Sequence, residues 1–207
     1  MKLVTGKINS SPAANKVSIQ LALDGHSFSI AGGAEHLRPG EGLIVEVLTD
    51  RTLLVPEALF VRERAALMLE ADGKALRAGE KAVCSPLLEG MVAVMPVPLR
   101  ALEQLRDRYG AGTPVTFTSP LLCALQTDKR SVLMQYVAGY LYIKIYHAKE
   151  LQLAEVLPAP TDADVLYLFE RLGSEFPHRE YAVCATGPNA GDLARLASNY
   201  YRTIRCV

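Results

Sequence analysis

The sequence predicts a mixed α/β fold whose two halves follow one element order: three strands, a helix, a strand, a helix and a strand. Two observations carry this. Residues 132–207 hold two β-rich runs joined by Ala138-Gly139, a third run at 151–157, and then apolar residues at helical spacing alternating with short apolar strands. Residues 17–126 pass through the same order, from a hairpin over Asp24-Gly25 to a short strand at 115–118. The halves are not visibly similar in sequence, so the repeat is one of order, with the boundary near residues 127–130.

Residues 1–16 are polar, contain Ser10-Ser11-Pro12, and are expected to form an arm. Residues 17–23 alternate, Asp24-Gly25 turns the chain and residues 27–31 return; Asp-Gly between alternating runs is a strong hairpin signal. Residues 32–42 read as a loop and 43–48 as the third strand, which 52–55 extends after a turn at Asp50-Arg51. Pro56 suits the first position of a helix. Residues 57–70 are good helix formers, with Leu59, Phe60, Leu67 and Met68 expected to face inward. Strands follow at 82–88 and 91–95 around Glu89-Gly90. A helix at 98–109 then presents Leu99, Leu102, Leu105 and Tyr109 and stops at Gly110. A strand at 115–118 and a short helix at 120–125 complete the first half.

In the second half, Leu141, Ile143 and Ile145 point to one face of their strand and Tyr140, Tyr142, Lys144 and Tyr146 to the other. The run 151–157 completes an antiparallel meander. Thr161 or Asp162 caps a helix whose apolar face is Val165, Leu168, Phe169 and Leu172, with Gly173 as its stop. A strand at 181–185, a helix marked by Leu193, Leu196, Ala197 and Tyr200, and a strand at 203–207 follow. Strand–helix–strand connections place those strands parallel, with right-handed crossovers.

Lys plus Arg and Asp plus Glu number 22 each, so no charge excess argues for nucleic acid or an anionic membrane as partner. No apolar run reaches the roughly 18–20 residues that span a bilayer, and the N-terminus lacks the apolar stretch of a signal peptide. The expectation is a cytoplasmic chain whose partner, if it has one, is a protein. Cys84, Cys123, Cys184 and Cys206 lie far apart, and His26, His36, His147 and His178 fall in or beside turns without ligand spacing, so no metal site is expected.

The duplicated order resembles that of the actin-like, RNase H-like ATPase fold. More closely, VSIQLALDGHSFSI, LLVPEALF, YLYIKIYHAKELQLAEVLP with TDADVLYLFERLG, and the terminal strand–Thr-Gly–helix–strand resemble an uncharacterised bacterial family, the domain of unknown function 3822 family. The resemblance runs from Val17 over nearly the whole chain, with the first half shortened across residues 32–42. It implies lobes at 17–126 and 127–207.

Active members of the actin-like class hold nucleotide phosphates with an acid in the first strand of each lobe and a Gly-rich hairpin turn, the acid acting through a metal ion and water. The corresponding positions here carry Gln20 and Gln135, and the turns are the short Asp24-Gly25 and Ala138-Gly139. Ala185-Thr186-Gly187 keeps the small-residue strand exit of that class. The resemblance therefore implies a remnant nucleotide site at Asp24, Gly25, Gly139, Thr186 and Gly187, with no catalytic residue and no resident cofactor. ATP with Mg²⁺ is the alternative.

Read from the residues alone, Asp24 is equally a turn residue before Gly25. Residues 187–191 lack the Lys-Ser/Thr of a phosphate loop, and no nucleophile elbow occurs. Tyr140, Tyr142 and Tyr146 form a row with two readings, a covered sheet face or an exposed aromatic surface for a protein partner. The function expected is a non-catalytic binding or scaffold protein. Its alternative is a nucleotide-binding ATPase or phosphotransferase using the cleft between the lobes.

Overall fold

The computed structural model describes residues 16–24, 27–32, 41–123 and 130–206. Residues 1–15 of the arm expected at 1–16, together with Gly25, His26 and His36, lie outside them, while Lys16 belongs to the first strand.

In the first half, β1 (Lys16–Asp24) pairs antiparallel with β2 (Ser27–Gly32) and parallel with β3 (Gly42–Leu48), Val17 opposite Leu43 through Ala22 opposite Leu48. The expected third strand is thus a parallel neighbour of the first strand, unlike the third strand of the second half's meander. The physical reason lies in its residues. Leu43, Val45, Val47 and Leu48 are all buried, and a near-continuous apolar run suits a parallel strand covered on both faces.

The next strand, β4 (Leu53–Pro56), does not extend β3. It joins β5 (Glu80–Cys84) and β6 (Met91–Pro98) in a separate antiparallel sheet, order β4-β6-β5. The turn before β6 places Glu89 at φ 50° and Gly90 at φ 73°, the left-handed pair that a two-residue hairpin connection requires.

The helix expected over 57–70 is broken. Two 3-10 turns, Glu57–Leu59 and Arg62–Arg64, flank extended Phe60 and Val61, and only α1 (Ala65–Ala71) is α-helical. Its buried residues are Ala65 and Leu69, four apart, whereas Leu59 and Leu67 are 68% and 61% exposed. Propensity favoured one long helix. Aromatic Phe60 and β-branched Val61 are the residues that leave it, and Phe60 instead packs beside Leu69 and Val94 against the small sheet.

After β6, α2 (Leu99–Tyr109) buries Ala101, Leu105 and Tyr109, with Leu102 half-buried and Leu99 exposed. β7 (Val115–Thr118) then pairs parallel with β3, giving the order β2-β1-β3-β7. The core of this half sets β1 and β3 against β5, β6 and α2.

The second half matches its expected elements closely. β8 (Ser131–Val137), β9 (Tyr140–His147) and β10 (Glu150–Pro158) form the meander. After α3 (Asp162–Gly173), β11 (Ala182–Thr186) runs parallel to β8. After α4 (Ala190–Ala197), β12 (Thr203–Cys206) runs parallel to β11, so the order is β10-β9-β8-β11-β12. Thr161 caps α3 in a reciprocal box with Asp164. Gly173 is not a conformational stop but a packing requirement, because a Cβ there would collide with the His178 ring. That ring bonds the Phe169 carbonyl at 2.7 Å and lies edge-on to Tyr200 and Tyr201, tying α3 to the end of α4.

Met134, Leu141, Ile143, Ile145, Phe169 and Leu193 centre a core between this sheet and α3 and α4. The opposite face meets the first half. There Leu121, in a 3-10 turn over Pro120–Leu122 capped by the Ser119 hydroxyl, packs with Leu48, Val137, Tyr142 and Val156. No helix among the described residues is long and apolar enough to cross a membrane.

Candidate functional site

Alternation puts Leu133, Gln135 and Val137 of β8, Tyr140, Tyr142, Lys144 and Tyr146 of β9, and Thr186 at the end of β11 on the face turned toward the first half. Tyr142 is 2% exposed, Tyr146 is buried, and Tyr140 is half-buried. Of the two readings of the tyrosine row, the burial of Tyr142 and Tyr146 leaves the covered face and removes the exposed surface, and the row forms a seam between the halves. Tyr136 is not part of it. It stands opposite Leu141, on the helix side, and its hydroxyl donates to the Ala159 carbonyl at 2.9 Å.

The seam is polar at its edges. The Tyr140 hydroxyl donates to the Leu23 carbonyl at 3.2 Å, so the hairpin at Ala138-Gly139 neighbours the end of β1. The Lys144 ammonium, 4% exposed, donates to the Cys123 carbonyl at 2.6 Å and stands 5.5 Å from the Tyr146 ring centre. Burial pushes the Lys144 pKa down and the Cys123 thiol up, and raises the Tyr146 hydroxyl to about 12. The Tyr142 hydroxyl, raised further by burial, faces the Thr49 backbone without completing a hydrogen bond.

The predicted nucleotide-site residues fall here unevenly. Asp24 closes β1 opposite Ser27; its side chain and Gly25 lie outside the described residues. Gly139, at φ 75°, follows Ala138 at φ 52° in a two-residue turn. Its carbonyl accepts the Ala159 N–H at 2.8 Å, and a Cβ on it would stand 3.7 Å from Pro160. The turn is packed against the chain entering α3.

Thr186 and Gly187 do come together with Gln135. The Thr186 hydroxyl is within reach of the Met134 carbonyl at 3.3 Å and the Gln135 Oε1 at 3.4 Å. Gly187 adopts φ 82°, and a Cβ there would stand 2.9 Å from the Gln135 side chain. The Gln135 amide thus lies directly over the glycine. A recess with a free volume of about 10 Å³ adjoins it, lined by Leu121, Leu133, Gln135, Tyr142, Lys144 and Thr186 among others. That is room on the scale of one water molecule, far below the roughly 300–1,000 Å³ of typical ligand pockets.

In the first half, Gln20 donates from Nε2 to Glu46 Oε2 at 2.8 Å, across the β1–β3 register that sets these residues opposite each other. Sequence reasoning missed Glu46, although an acid inside the run LIVEVL was the available signal. It also missed that Lys144 is buried. Among the described residues, no group of three or more His, Cys, Asp and Glu could hold a metal ion.

No family model and no curated protein matches the sequence. Solved structures do match. A Bacteroides thetaiotaomicron protein with actin-like ATPase fold and unknown function is 12% identical, with TM-score 0.66 over 98% of this chain and 94% of that one. The fold is the actin-like ATPase fold. A chain of the PilM–PilN type IV pilus biogenesis complex shares the actin-like fold at TM-score 0.52 and 12% identity, over 95% of this chain and 89% of that one. In actin-like terms, Gln20 and Gln135 stand in the first strand of each half, and Thr186-Gly187 at the exit of the second half's fourth strand.

Proposed function

We propose that the chain is a non-catalytic binding or scaffold protein, a member of the domain of unknown function 3822 family acting in the bacterial cytoplasm, with lobes at residues 17–126 and 127–207. The observation that carries this reading is the pair of amides at positions 20 and 135. Gln20 is engaged by Glu46, and Gln135 fills the space over Gly187. An amide brings no charge to balance Mg²⁺ and no base to align a water molecule. The PilM–PilN complex, a protein assembly containing this fold, supports a protein as partner.

A second reading, a nucleotide-dependent ATPase or phosphotransferase working at the seam, is favoured by Thr186 and Gly187 beside Gln135. Beyond them it rests on analogy of fold.

Thermal unfolding with and without Mg-ATP separates the two. A ligand at 100 times its Kd adds about 2.7 kcal/mol, roughly 5–10 °C for a chain of this size. The scaffold reading expects no shift. A shift of that order, abolished by Thr186→Val, would overturn it.

A further inference from the structure

The recess beside Gln135 is lined by hydrogen-bond donors and, among the described residues, by no acid. Its polar side chains are Gln135 of β8, Tyr142 and Lys144 of β9, and Thr186 at the end of β11. Each offers an N–H or an O–H. The rest of the described lining is apolar.

Two of these donors are left short. The Tyr142 hydroxyl is buried without a hydrogen-bond partner. Lys144, 4% exposed, spends one N–H on the Cys123 carbonyl at 2.6 Å, and an ammonium has others to give. Among the described residues no carboxylate comes within the 4.0 Å of an ion pair with it. The acid whose field reaches it is Glu89, exposed at the turn between β5 and β6.

A cation taken out of water is costly unless a counter-charge comes with it. Size limits what can supply that charge. The free volume of about 10 Å³ suits one small species. A carboxylate, a phosphate or a nucleotide does not fit, and a water molecule brings hydrogen bonds but no charge.

We propose that the recess binds a single halide-sized anion, chloride, held by the Lys144 ammonium and the Tyr142 hydroxyl, with Gln135 and Thr186 beside it. Leu121 of the Pro120–Leu122 turn closes the recess against β8 and β9. Chloride is thereby a ligand of the closed seam and not of either half alone. The site stands whether or not the chain binds a nucleotide.

Thermal unfolding in sodium chloride and in sodium gluconate at equal ionic strength tests this. Gluconate is too large to enter, so the difference between the salts reads the recess. The expected result is a midpoint that rises with chloride along a saturating binding curve. Tyr142→Phe keeps the ring and loses the hydroxyl. It should need on the order of tenfold more chloride for the same rise, the worth of one hydrogen bond to a charged group. Lys144→Met keeps an apolar stem and should abolish the response. Glu89→Gln, at an exposed residue, should bind chloride more tightly, because a negative charge facing the site is gone.

Crystals of the full chain soaked in bromide locate the ion. Anomalous scattering should place bromide within hydrogen-bond distance of Lys144 Nζ and the Tyr142 hydroxyl. Water in the recess, with bromide at the surface as an adventitious ion only, overturns the proposal. So does a parent without a chloride response, or a response equal in the parent, Tyr142→Phe and Lys144→Met. If Lys144→Met does not fold, Tyr142→Phe and Glu89→Gln decide: opposite shifts in chloride affinity uphold the site, and unchanged affinity in both overturns it.

Discussion

The two halves cover similar sheets by different means. The second half encloses its sheet between α3 and α4 on one face and the first half on the other, using strands and helices in simple succession. The first half inserts a three-stranded sheet between β3 and α2 and packs β5 and β6 onto β1 and β3. The contrast teaches that the order of paired strands tolerates a change of covering layer. What both halves contribute in common is the seam, and the sharpest tests fall there.

The largest effect should come from Tyr142→Ala. A large buried ring costs about 3–5 kcal/mol when truncated, whereas Tyr167→Ala, at a ring 64% exposed on α3, should stay within about 0.5 kcal/mol. Denaturant unfolding measures both. Equal, small losses would mean that the halves do not share the packing described. Leu121→Ala should follow at about 2–5 kcal/mol, and its loss should be felt by reporters in either half, such as amide exchange of β3 and of β9.

A smaller effect separates the seam by pH. Burial lowers the Lys144 pKa, so the fold disfavours the ammonium, and stability should rise as pH climbs through that lowered value toward 10.5. Tyr142 and Tyr146 work in the opposite sense. Their raised values mean that stability falls once unfolded tyrosines ionise, above about pH 10. Unfolding midpoints from pH 8 to 11 should show a rise and then a decline in the parent, and only the decline in Lys144→Met.

The smallest effect isolates the inserted sheet. Arg51 grips Glu80 with two nitrogens, one at 2.9 Å, and holds its pKa below the ordinary 4.5 although burial alone would raise it. That stability is present above the ordinary carboxylate value and is lost as pH falls below it. Arg51→Met should cost about 1 kcal/mol at pH 7 and nearly nothing near pH 2. A constant loss at both pH values would assign the effect to packing of the arginine stem.

The second half was legible because its signals are local. A hairpin turn, a capping box at Thr161 and Asp164, and apolar spacing of 2 and then 3.6 lie within a few residues of what they specify. The first half was legible element by element but not in its pairings. Nothing near Leu43 announces that its partner is Val17 and not Ile30, since parallel pairing is decided across the chain. The 57–70 segment misled because strong helix formers outnumber the two residues that interrupt them. The amides at 20 and 135 were readable as departures from an acid. Their engagement by Glu46 and Gly187 was not, because each partner is brought from a distant strand or its exit.

The turn at Pro120–Leu122 has a consequence for how the molecule comes apart. It stands where the chain leaves the first half, and its Leu121 is held by residues of both. Neither half can melt without baring the hydrophobic flank of its neighbour, so heat or denaturant should dismantle the chain in one cooperative step. A protease cut just after residue 123 would leave two fragments that remain associated, each carrying a sticky face that only the other fits.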